Sequence, residues 1–515
     1  MEKFPWWTEE QKKLADEVEE FAESVRPVTD EMRWTKEIPW DVIREIGRRG
    51  YFGALIPKEY GGMGLGCTGG CIIHEGMTSA GLGVLYMASM CGGTHQIILN
   101  GTEEQKERWL PRIARGELAA ICLTEPFVGS DTSGMETTAR REGDEYVING
   151  KKRFITNAGI AGIYLVYART SDQPEDVAKH RHISAFIVEK GTPGFTVEKI
   201  NELCGWDAVY NGYLSFNDVR VPAENMLGEE NEGWRVLVSG LNFERTIGMA
   251  ASCAVFRELL RYAVFHSQRR IQFGRPTIEY ETNQYKIADM ISWLKVSRLI
   301  AYYTAYLIDL GVSYEEIVMW PTIGKILTSE AGSKACADAI RVMGGDGFTR
   351  FYPVESLLRS HIVAEIGAGT NQILRRLLFR QGLTYLAEDI RPPRRRIHEK
   401  LGVPVLAGYR KPPSPGEARE KEIGEEEVLE ALASDYRVNP GLYMTPDDLK
   451  DELGISDDQF DRTLESLENK GMVRLYRDKR GVITLAKATY KGLSRAKPPE
   501  YYRWFPEWVD KKNIF

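Results

Sequence analysis

The spacing of apolar residues changes twice along this chain of 515 residues. Up to about residue 118, segments such as Glu10–Val25 carry apolar side chains three and four positions apart, which predicts helices. From 119 onward, short runs rich in β-branched and aromatic residues, such as 163–167, alternate with turn sequences, which predicts strands. Helical spacing returns near Glu229 and continues to about Asp389.

These blocks predict an α+β subunit in which an antiparallel β domain separates two helical domains. We expect an N-terminal helical domain at 1–118, the β domain at 119–228 and a C-terminal four-helix bundle at 229–388. A Pro/Arg-rich linker is expected at 389–416. Residues 417–515 then predict three helices, a two-stranded ribbon and an aromatic tail, which is the outline of a winged helix.

Composition excludes several classes of protein. The net charge of −7 argues against non-specific nucleic-acid binding, and the sequence has no run of about 18 apolar residues that predicts a membrane span. The N-terminal sequence lacks the features of a secretory signal. Seven scattered cysteines without a CxxC spacing indicate reduced thiols, and hence a cytoplasmic protein with no metal site of that kind.

Two segments combine hydroxyls, glycines and backbone N–H groups at predicted strand ends, Leu123–Asp131 and Asn149–Asn157. Such a surface can hold a planar ligand with polar edges, although ordinary capped turns explain either segment equally well.

Five motifs occur in an order that resembles the acyl-CoA dehydrogenase family over about residues 10–385. They are TEPxxGSD from Thr124, ITN from Ile155, RxxFG from Arg270, MGGDG from Met343 and GTNQ from Gly369. The resemblance implies FAD as cofactor, a homotetramer, and α,β-desaturation of an acyl-CoA thioester by proton abstraction and hydride transfer to FAD. It also implies an electron-transferring flavoprotein as acceptor.

The catalytic base is the main departure from the family pattern. Most members carry Glu in a YEGT sequence, whereas here the matching Ile366–Thr370 places Ala368 at that position. Glu244, directly before Arg245, resembles the base of the isovaleryl-CoA dehydrogenase branch, which shares both features. We therefore expect Glu244 to be the base and keep Glu365 as the alternative, since a Glu–Arg pair on a helix is otherwise usually solvated.

The resemblance also assigns binding residues, each with simple packing as the alternative. Arg270 and Phe273 are expected to reach the FAD of a neighbouring subunit, and the Ala368 N–H is expected to form the oxyanion hole. The residues expected to bind FAD are Ile121, Leu123, Thr124, Gly129, Ser130, Phe154, Ile155, Thr156, Arg270, Phe273, Arg341, Gly344, Gly345, Thr370 and Gln372. Those expected to bind substrate are Ser130, Asn242, Arg245, Ala368 and Gly369. Glu281 and Arg341 depart from the family pattern. Either the two residues form a compensating ion pair, or both are neutral substitutions on the surface.

The substrate class follows from the position of the base. In the branch that this chain resembles, a base on the helix accompanies branched acyl groups. Gly92 and Gly93 predict either room for a bulky cyclic or aryl acyl group or close helix packing. The absence of Arg between Arg49 and Arg108 disfavours a substrate with a distal carboxylate.

The C-terminal module leaves a second class of function open, a DNA-associated or regulatory flavoprotein of the same fold. Its third predicted helix carries five acidic residues against Arg462 and Lys470, which repels phosphate, although the wing offers Arg474, Arg477, Lys479 and Arg480. We expect subunit packing or protein docking there, and DNA binding is the less favoured role.

Overall fold

The computed structural model describes residues 1–386, 423–438, 440–453 and 460–502. The chain divides into two compact units, 1–388 and 389–515. Three segments lie outside the described residues: the predicted linker at 389–416, residues 454–459, whose sequence Ser456–Gln459 is typical of a capping box, and the tail from Arg503 onward.

The N-terminal helices begin where capping signals stand in the sequence. Capping boxes form at Thr102 with Gln105 and at Thr8 with Gln11, where they start α6 and α1. The six helices are α1 (Glu9–Thr35), α2 (Trp40–Arg48), α3 (Gly66–Ser79), α4 (Gly83–Met90), α5 (Thr94–Asn100) and α6 (Glu103–Ala114).

The β domain contains one eight-stranded sheet and a short helix, α7 (Pro174–Ala178). The strands are β1 (Ala119–Cys122), β2 (Thr138–Glu142), β3 (Glu145–Thr156), β4 (Ile163–Arg169), β5 (Ile183–Glu189), β6 (Phe195–Ile200), β7 (Asn211–Pro222) and β8 (Met226–Leu227). The order is β6-β7-β3-β2-β4-β5-β8, and β1 pairs with β4. The sheet is mainly antiparallel, but β1 runs parallel to β4. A parallel pair needs a long connection, and the chain from Leu123 through β2 and β3 provides it.

Alternation along β4 divides its side chains between two apolar clusters. Ile163, Leu165 and Tyr167 pack with residues of α5, α6 and the next long helix, whereas Tyr164 and Val166 face the interior of the β domain. The first of these faces borders the site described below.

The C-terminal domain is built around one helix of 37 residues, α8 (Gly233–Arg269). The other elements of this domain are β9 (Ile271–Gln272), β10 (Arg275–Pro276), α9 (Glu281–Asp309), α10 (Tyr314–Ile317), α11 (Met319–Met343), α12 (Val354–His361) and α13 (Asn371–Tyr385). Helix α8 packs against α3, α9 and α11, so it runs through the middle of this unit.

The second unit has its own apolar core, which includes Leu429, Leu432, Phe460 and Leu464. Its elements are α14 (Glu425–Val438), α15 (Pro446–Leu453), α16 (Phe460–Asn469), β11 (Val473–Arg477), β12 (Ile483–Ala488) and α17 (Tyr490–Ala496). The winged-helix assignment stays a prediction. Among the described residues, no helix is both long and apolar enough to cross a membrane.

Candidate active site

The two sequence segments singled out above lie side by side. The Arg153 N–H donates to the Thr124 carbonyl at 2.8 Å. The Lys152 ammonium donates to the Leu123 carbonyl at 3.2 Å and to the Glu125 carboxylate at 2.7 Å. The loop after β1 is therefore fastened to β3.

Sequence reasoning missed the ion pair between Glu125 and Lys152, although Glu125 stands inside the TEP motif. Both side chains are fully buried, and Glu125 also accepts the N–H groups of Glu136 and Thr137 at 2.6 and 3.0 Å. Burial lowers the pKa of Lys152, and Glu125 opposes that shift. A buried pair with these extra hydrogen bonds holds the loop rigidly, and the signal for it was a lysine at a core-facing strand position.

Phe154 occupies an irregular position on β3. The register with β7 shifts between Lys152 and Ile155, and Phe154 has a φ of 57° with 51% of its surface exposed. A bulge of this kind turns a side chain out of the sheet. Ile155, by contrast, is buried in the β-domain core, so only its backbone is available to a ligand.

FAD fits the residues around this bulge. Ile121, Leu123, Thr124 and Thr156 are each only partly buried, and they combine apolar surface with hydroxyl groups. Ser130 and Gly129 are exposed, and a Cβ added at Gly129 would meet nothing within 4 Å. An open apolar surface with hydroxyls and an exposed aromatic ring suits a planar ring system with polar edges.

Glu244 lies on α8 with its side chain partly buried. Burial raises the pKa of its carboxyl, and the Arg245 guanidinium opposes that shift. Among the residues that the structure describes, none donates a hydrogen bond to this carboxylate. A carboxylate with few donors and little water retains the basicity that proton abstraction requires.

Tyr167 lies close both to Glu244 and to the surface expected to bind the flavin. Because β4 pairs in parallel with β1 and Val166 lies opposite Cys122, Tyr167 stands level with Leu123. Tyr167 is fully buried, and its hydroxyl has no hydrogen-bond partner among the described residues. Burial and then the Glu244 carboxylate raise the pKa of Tyr167, so the two groups are close. The base therefore faces the carboxyl end of β1.

Open space adjoins the base on the same helix. Gly248 follows Glu244 by one turn of α8, and a Cβ added there would meet nothing within 4 Å. Gly248 is partly buried, as Glu244 is.

Gly92 and Gly93 do not provide such space. A Cβ at Gly92 would stand 2.6 Å from the backbone of Ala119, and one at Gly93 would stand 3.1 Å from Leu165. The structure therefore decides between the two interpretations of this pair in favour of close packing, here against β1 and β4.

The Ile366–Thr370 loop approaches α8 through Arg245, whose Nε donates to the Ala368 carbonyl at 3.2 Å. Ala368 and Gly369 both have positive φ, at 53° and 92°. Glu365, the alternative base, accepts a hydrogen bond from Ser333 of α11 at 2.6 Å, so its carboxylate is already engaged. Asn242 is 5% exposed, and both polar atoms of its amide lack partners among the described residues, which leaves them for a ligand.

Several of the residues expected to bind FAD are exposed on the surface. Phe273 is 97% exposed with a φ of 50°, and Arg270, Gly344, Gly345 and Gln372 are exposed as well. Thr370 instead caps α13 by accepting the Ile373 N–H at 3.3 Å.

The idea that Glu281 compensates Arg341 finds no support within the described chain. Arg341 donates to Asp338 on its own helix at 2.7 Å, and Glu281 accepts from Tyr285 at 3.3 Å. Each group has a nearer partner on its own helix. In the described ranges, no group of three or more His, Cys, Asp or Glu side chains could hold a metal ion.

Known proteins resemble this chain in sequence and in fold. Models of the acyl-CoA dehydrogenase N-terminal, middle and C-terminal domains match residues 8–117, 120–219 and 231–383. An acyl-CoA dehydrogenase of Bacillus subtilis (strain 168) is 38% identical over 376 residues, 72% of this chain and 97% of the relative. The mitochondrial isovaleryl-CoA dehydrogenase of Solanum tuberosum is 35% identical over 379 residues, 72% of this chain and 90% of the relative.

A solved structure, butyryl-CoA dehydrogenase from Megasphaera elsdenii, superposes with a TM-score of 0.70 at 31% identity. The match covers 74% of this chain and all of that one. The predicted fold class and cofactor are therefore confirmed. The chain belongs to the acyl-CoA dehydrogenase family and is an FAD-dependent oxidoreductase.

Proposed function

We propose that this enzyme desaturates a branched or cyclic acyl-CoA at the α,β position, with Glu244 as the base. The observation that carries the proposal is the position of Glu244. Its carboxylate is partly buried, has no donor among the described residues, and lies beside Tyr167 at the end of β1.

Proton abstraction falls to this carboxylate. Glu244 takes the α proton of the thioester as the double bond forms, and its raised pKa brings it closer to the acidity of the carbon acid. The Arg245 guanidinium opposes the effect of burial on the pKa of this carboxyl and so favours its ionised form. Bound FAD supplies the two-electron acceptor for the hydrogen that leaves the β carbon.

The thioester oxygen gains negative charge as the α proton leaves, and the backbone N–H of Ala368 is the proposed donor to it. The positive φ of Ala368 is uncommon for a residue with a Cβ and persists only where its surroundings hold it. Arg245 supplies part of that support through the Ala368 carbonyl. We place Ser130 and Asn242 along the path of the CoA chain.

Two features support a branched or cyclic acyl group. The similar isovaleryl-CoA dehydrogenase shows that relatives of this chain include an enzyme named for a branched substrate. The open space at Gly248 lies one helical turn from the base, and we place the acyl chain there.

We propose a homotetramer and an electron-transferring flavoprotein as acceptor. The Ile271–Pro276 hairpin, with Phe273 97% exposed, presents an apolar ring outside its own subunit. Helix α9 also exposes large apolar side chains, namely Tyr285, Ile291, Val296 and Leu299. Apolar surface of this extent is typical of a subunit interface.

Replacing Glu244 by Gln tests the base. We expect E244Q to bind FAD and remain yellow while the rate of flavin bleaching by acyl-CoA falls by about 10²–10⁴-fold. In the native enzyme, the bleaching rate should fall as pH drops through a pKa above the usual carboxyl value, because the base must be ionised.

The matched control is E365Q, which removes the other candidate base and should bleach normally. Unchanged bleaching in E244Q, or loss in E365Q alone, contradicts the assignment. The acyl class is tested with a panel of isovaleryl-, cyclohexenecarbonyl-, aryl- and straight-chain acyl-CoA substrates, each monitored by flavin bleaching. A clear preference for long straight chains rejects the proposal of a branched or cyclic acyl group.

A further inference from the structure

Two cations hold consecutive carbonyl groups of the Ile366–Thr370 loop. Arg245 on α8 donates through Nε to the Ala368 carbonyl at 3.2 Å. Lys325 on α11 donates through Nζ to the Gly369 carbonyl at 2.9 Å. Both cations are buried, with 6% and 7% of their surface exposed. We call Arg245 and Lys325 the carbonyl clamp.

Lys325 is fixed by more than this single contact. Its ammonium also donates to the Asn371 side-chain oxygen at 2.8 Å. Asn371, 1% exposed, in turn donates to Ser329 at 3.0 Å and to Glu330 at 3.1 Å. The ammonium therefore joins α11 to the first residue of α13 and to the loop directly before it.

The loop requires such support because its backbone is strained. A residue with a Cβ in the left-handed region costs about 1–3 kcal/mol, and Ala368 is followed by a second residue of positive φ. Holding the carbonyls of Ala368 and Gly369 fixes two successive peptide planes. Together with the torsions of Ala368, those planes fix the direction of the Ala368 N–H.

We propose that Lys325 is a positioning residue of the dehydrogenase reaction, which with Arg245 aims the Ala368 N–H at the thioester oxygen of the substrate. This proposal rests on the proposed function. Lys325 acts through the loop, since its own donors are directed at Gly369 and Asn371. A neutral side chain at this position leaves the Gly369 carbonyl without its charged donor and frees the loop to relax.

The charge of Lys325 is sensitive to pH. Burial, and then Arg245 from α8, lower its pKa to about 8, while Glu365 and Glu330 oppose that shift. Glu330 in turn pairs with Arg375 of α13 at 2.6 Å. Above about pH 8 the ammonium loses its proton, so the charge-assisted bond to Gly369 weakens as pH rises.

The test compares K325M with the native holoenzyme, using an aryl enoyl-CoA whose absorption moves to longer wavelength when its thioester carbonyl is polarised. We expect K325M to keep FAD and to bind the probe with similar affinity, but to lose most of the red shift. The maximal bleaching rate should fall by about 10²-fold, as for the loss of one oxyanion donor. The K325R variant keeps a positive charge and should recover part of the red shift and part of the bleaching rate.

The matched control is K334M on the same helix, because Lys334 is itself exposed and pairs with Asp338 and Asp289, away from the Ile366–Thr370 carbonyls. K334M should keep the red shift and the rate. A K325M variant with native red shift and rate overturns the clamp while leaving the dehydrogenase assignment intact. A native enzyme that neither bleaches with any acyl-CoA nor shifts the probe overturns the proposed function itself.

If K325M does not retain FAD, the native enzyme still decides the question. The red shift of the bound probe should weaken as pH rises through about 8, the pKa of Lys325. A red shift that is constant from well below to well above that pH contradicts the role of Lys325.

Discussion

Glu244 and Arg245 are neighbours in sequence, but α8 turns them toward different surroundings. Arg245 reaches the Ala368 carbonyl, whereas Glu244 lies by Tyr167 and Cys91, whose pKa values burial and the Glu244 carboxylate both raise. Successive residues on a helix are about 100° apart, so this dipeptide can serve a loop and a substrate at once.

At the scale of one residue, we predict that Gly248 sets the acyl group that fits. G248L should fill the open space beside Glu244 and lower the bleaching rate with a branched or cyclic acyl-CoA by about 10–200-fold. Butyryl-CoA should be affected less because its chain is narrower. The measurement is stopped-flow bleaching with both substrates.

G248A serves as the control for this prediction. Its Cβ meets nothing within 4 Å, so the variant should fold and gain about 1 kcal/mol of helix stability. If G248L lowers the bleaching rate equally for both substrates, or for neither, this space does not receive the acyl group.

Helix α3 shows how packing overrides local preference at the scale of an element. It contains four glycines in 14 residues, which weakens a helix in isolation. A Cβ at Gly76 would stand 2.2 Å from Val18 of α1, and one at Gly70 would stand 3.0 Å from Ile247 of α8. The start of the helix is held by Asp309 of α9, which accepts the N–H groups of Cys67 and Thr68 at 2.5 and 3.0 Å. Glycine therefore lets α3 approach its neighbours closely.

The same reasoning gives a prediction for the contact between the first helical domain and the sheet. G92A should lower the free energy of unfolding by about 1–3 kcal/mol, because its Cβ meets the backbone of Ala119 and Ala120. Urea unfolding measures the change. The control is G382A in α13, where the nearest atom stands 4.0 Å away and the added methyl should be neutral or stabilising. Equal effects of the two changes would contradict the close packing of Gly92.

At the scale of the whole molecule, the family matches end within the first compact unit. The C-terminal domain model stops at residue 383, and the Bacillus subtilis relative is covered over 97% of its own length. The second unit has a separate apolar core. In that unit Arg477 pairs with Glu468 at 2.7 Å and Arg480 with Asp478 at 3.1 Å, so part of the charge on the wing is neutralised. Subunit packing or protein docking stays the favoured prediction for this module.

We predict that a chain ending at residue 388 retains FAD and bleaches with acyl-CoA at a rate within about twofold of the full chain. Flavin absorbance after gel filtration and stopped-flow bleaching measure the two properties. Light scattering on both chains gives the subunit number. A shortened chain that loses FAD, or bleaches more than about tenfold slower, would give the second unit a part in the active site.

Much of this protein follows from its sequence. Apolar spacing predicted the helical and β segments, and the ordered motifs predicted the family and FAD, because periodicity and motif order are local properties of the chain. Strands β2 and β6 carry a weak signal in the sequence, because most of their residues are exposed and no buried face marks them. The roles given to single site residues stay predictions.

Only the tertiary structure decided which distant residues meet. It brought Tyr167 of β4 to the level of Leu123 beside Glu244, engaged Glu365 with Ser333, and placed Lys325 under the Gly369 carbonyl, 44 residues away in sequence. It also assigned Gly92 to packing and Gly248 to open space. Sequence spacing shows which face of an element a side chain takes, but the partner on that face depends on how elements separated by a hundred residues pack together.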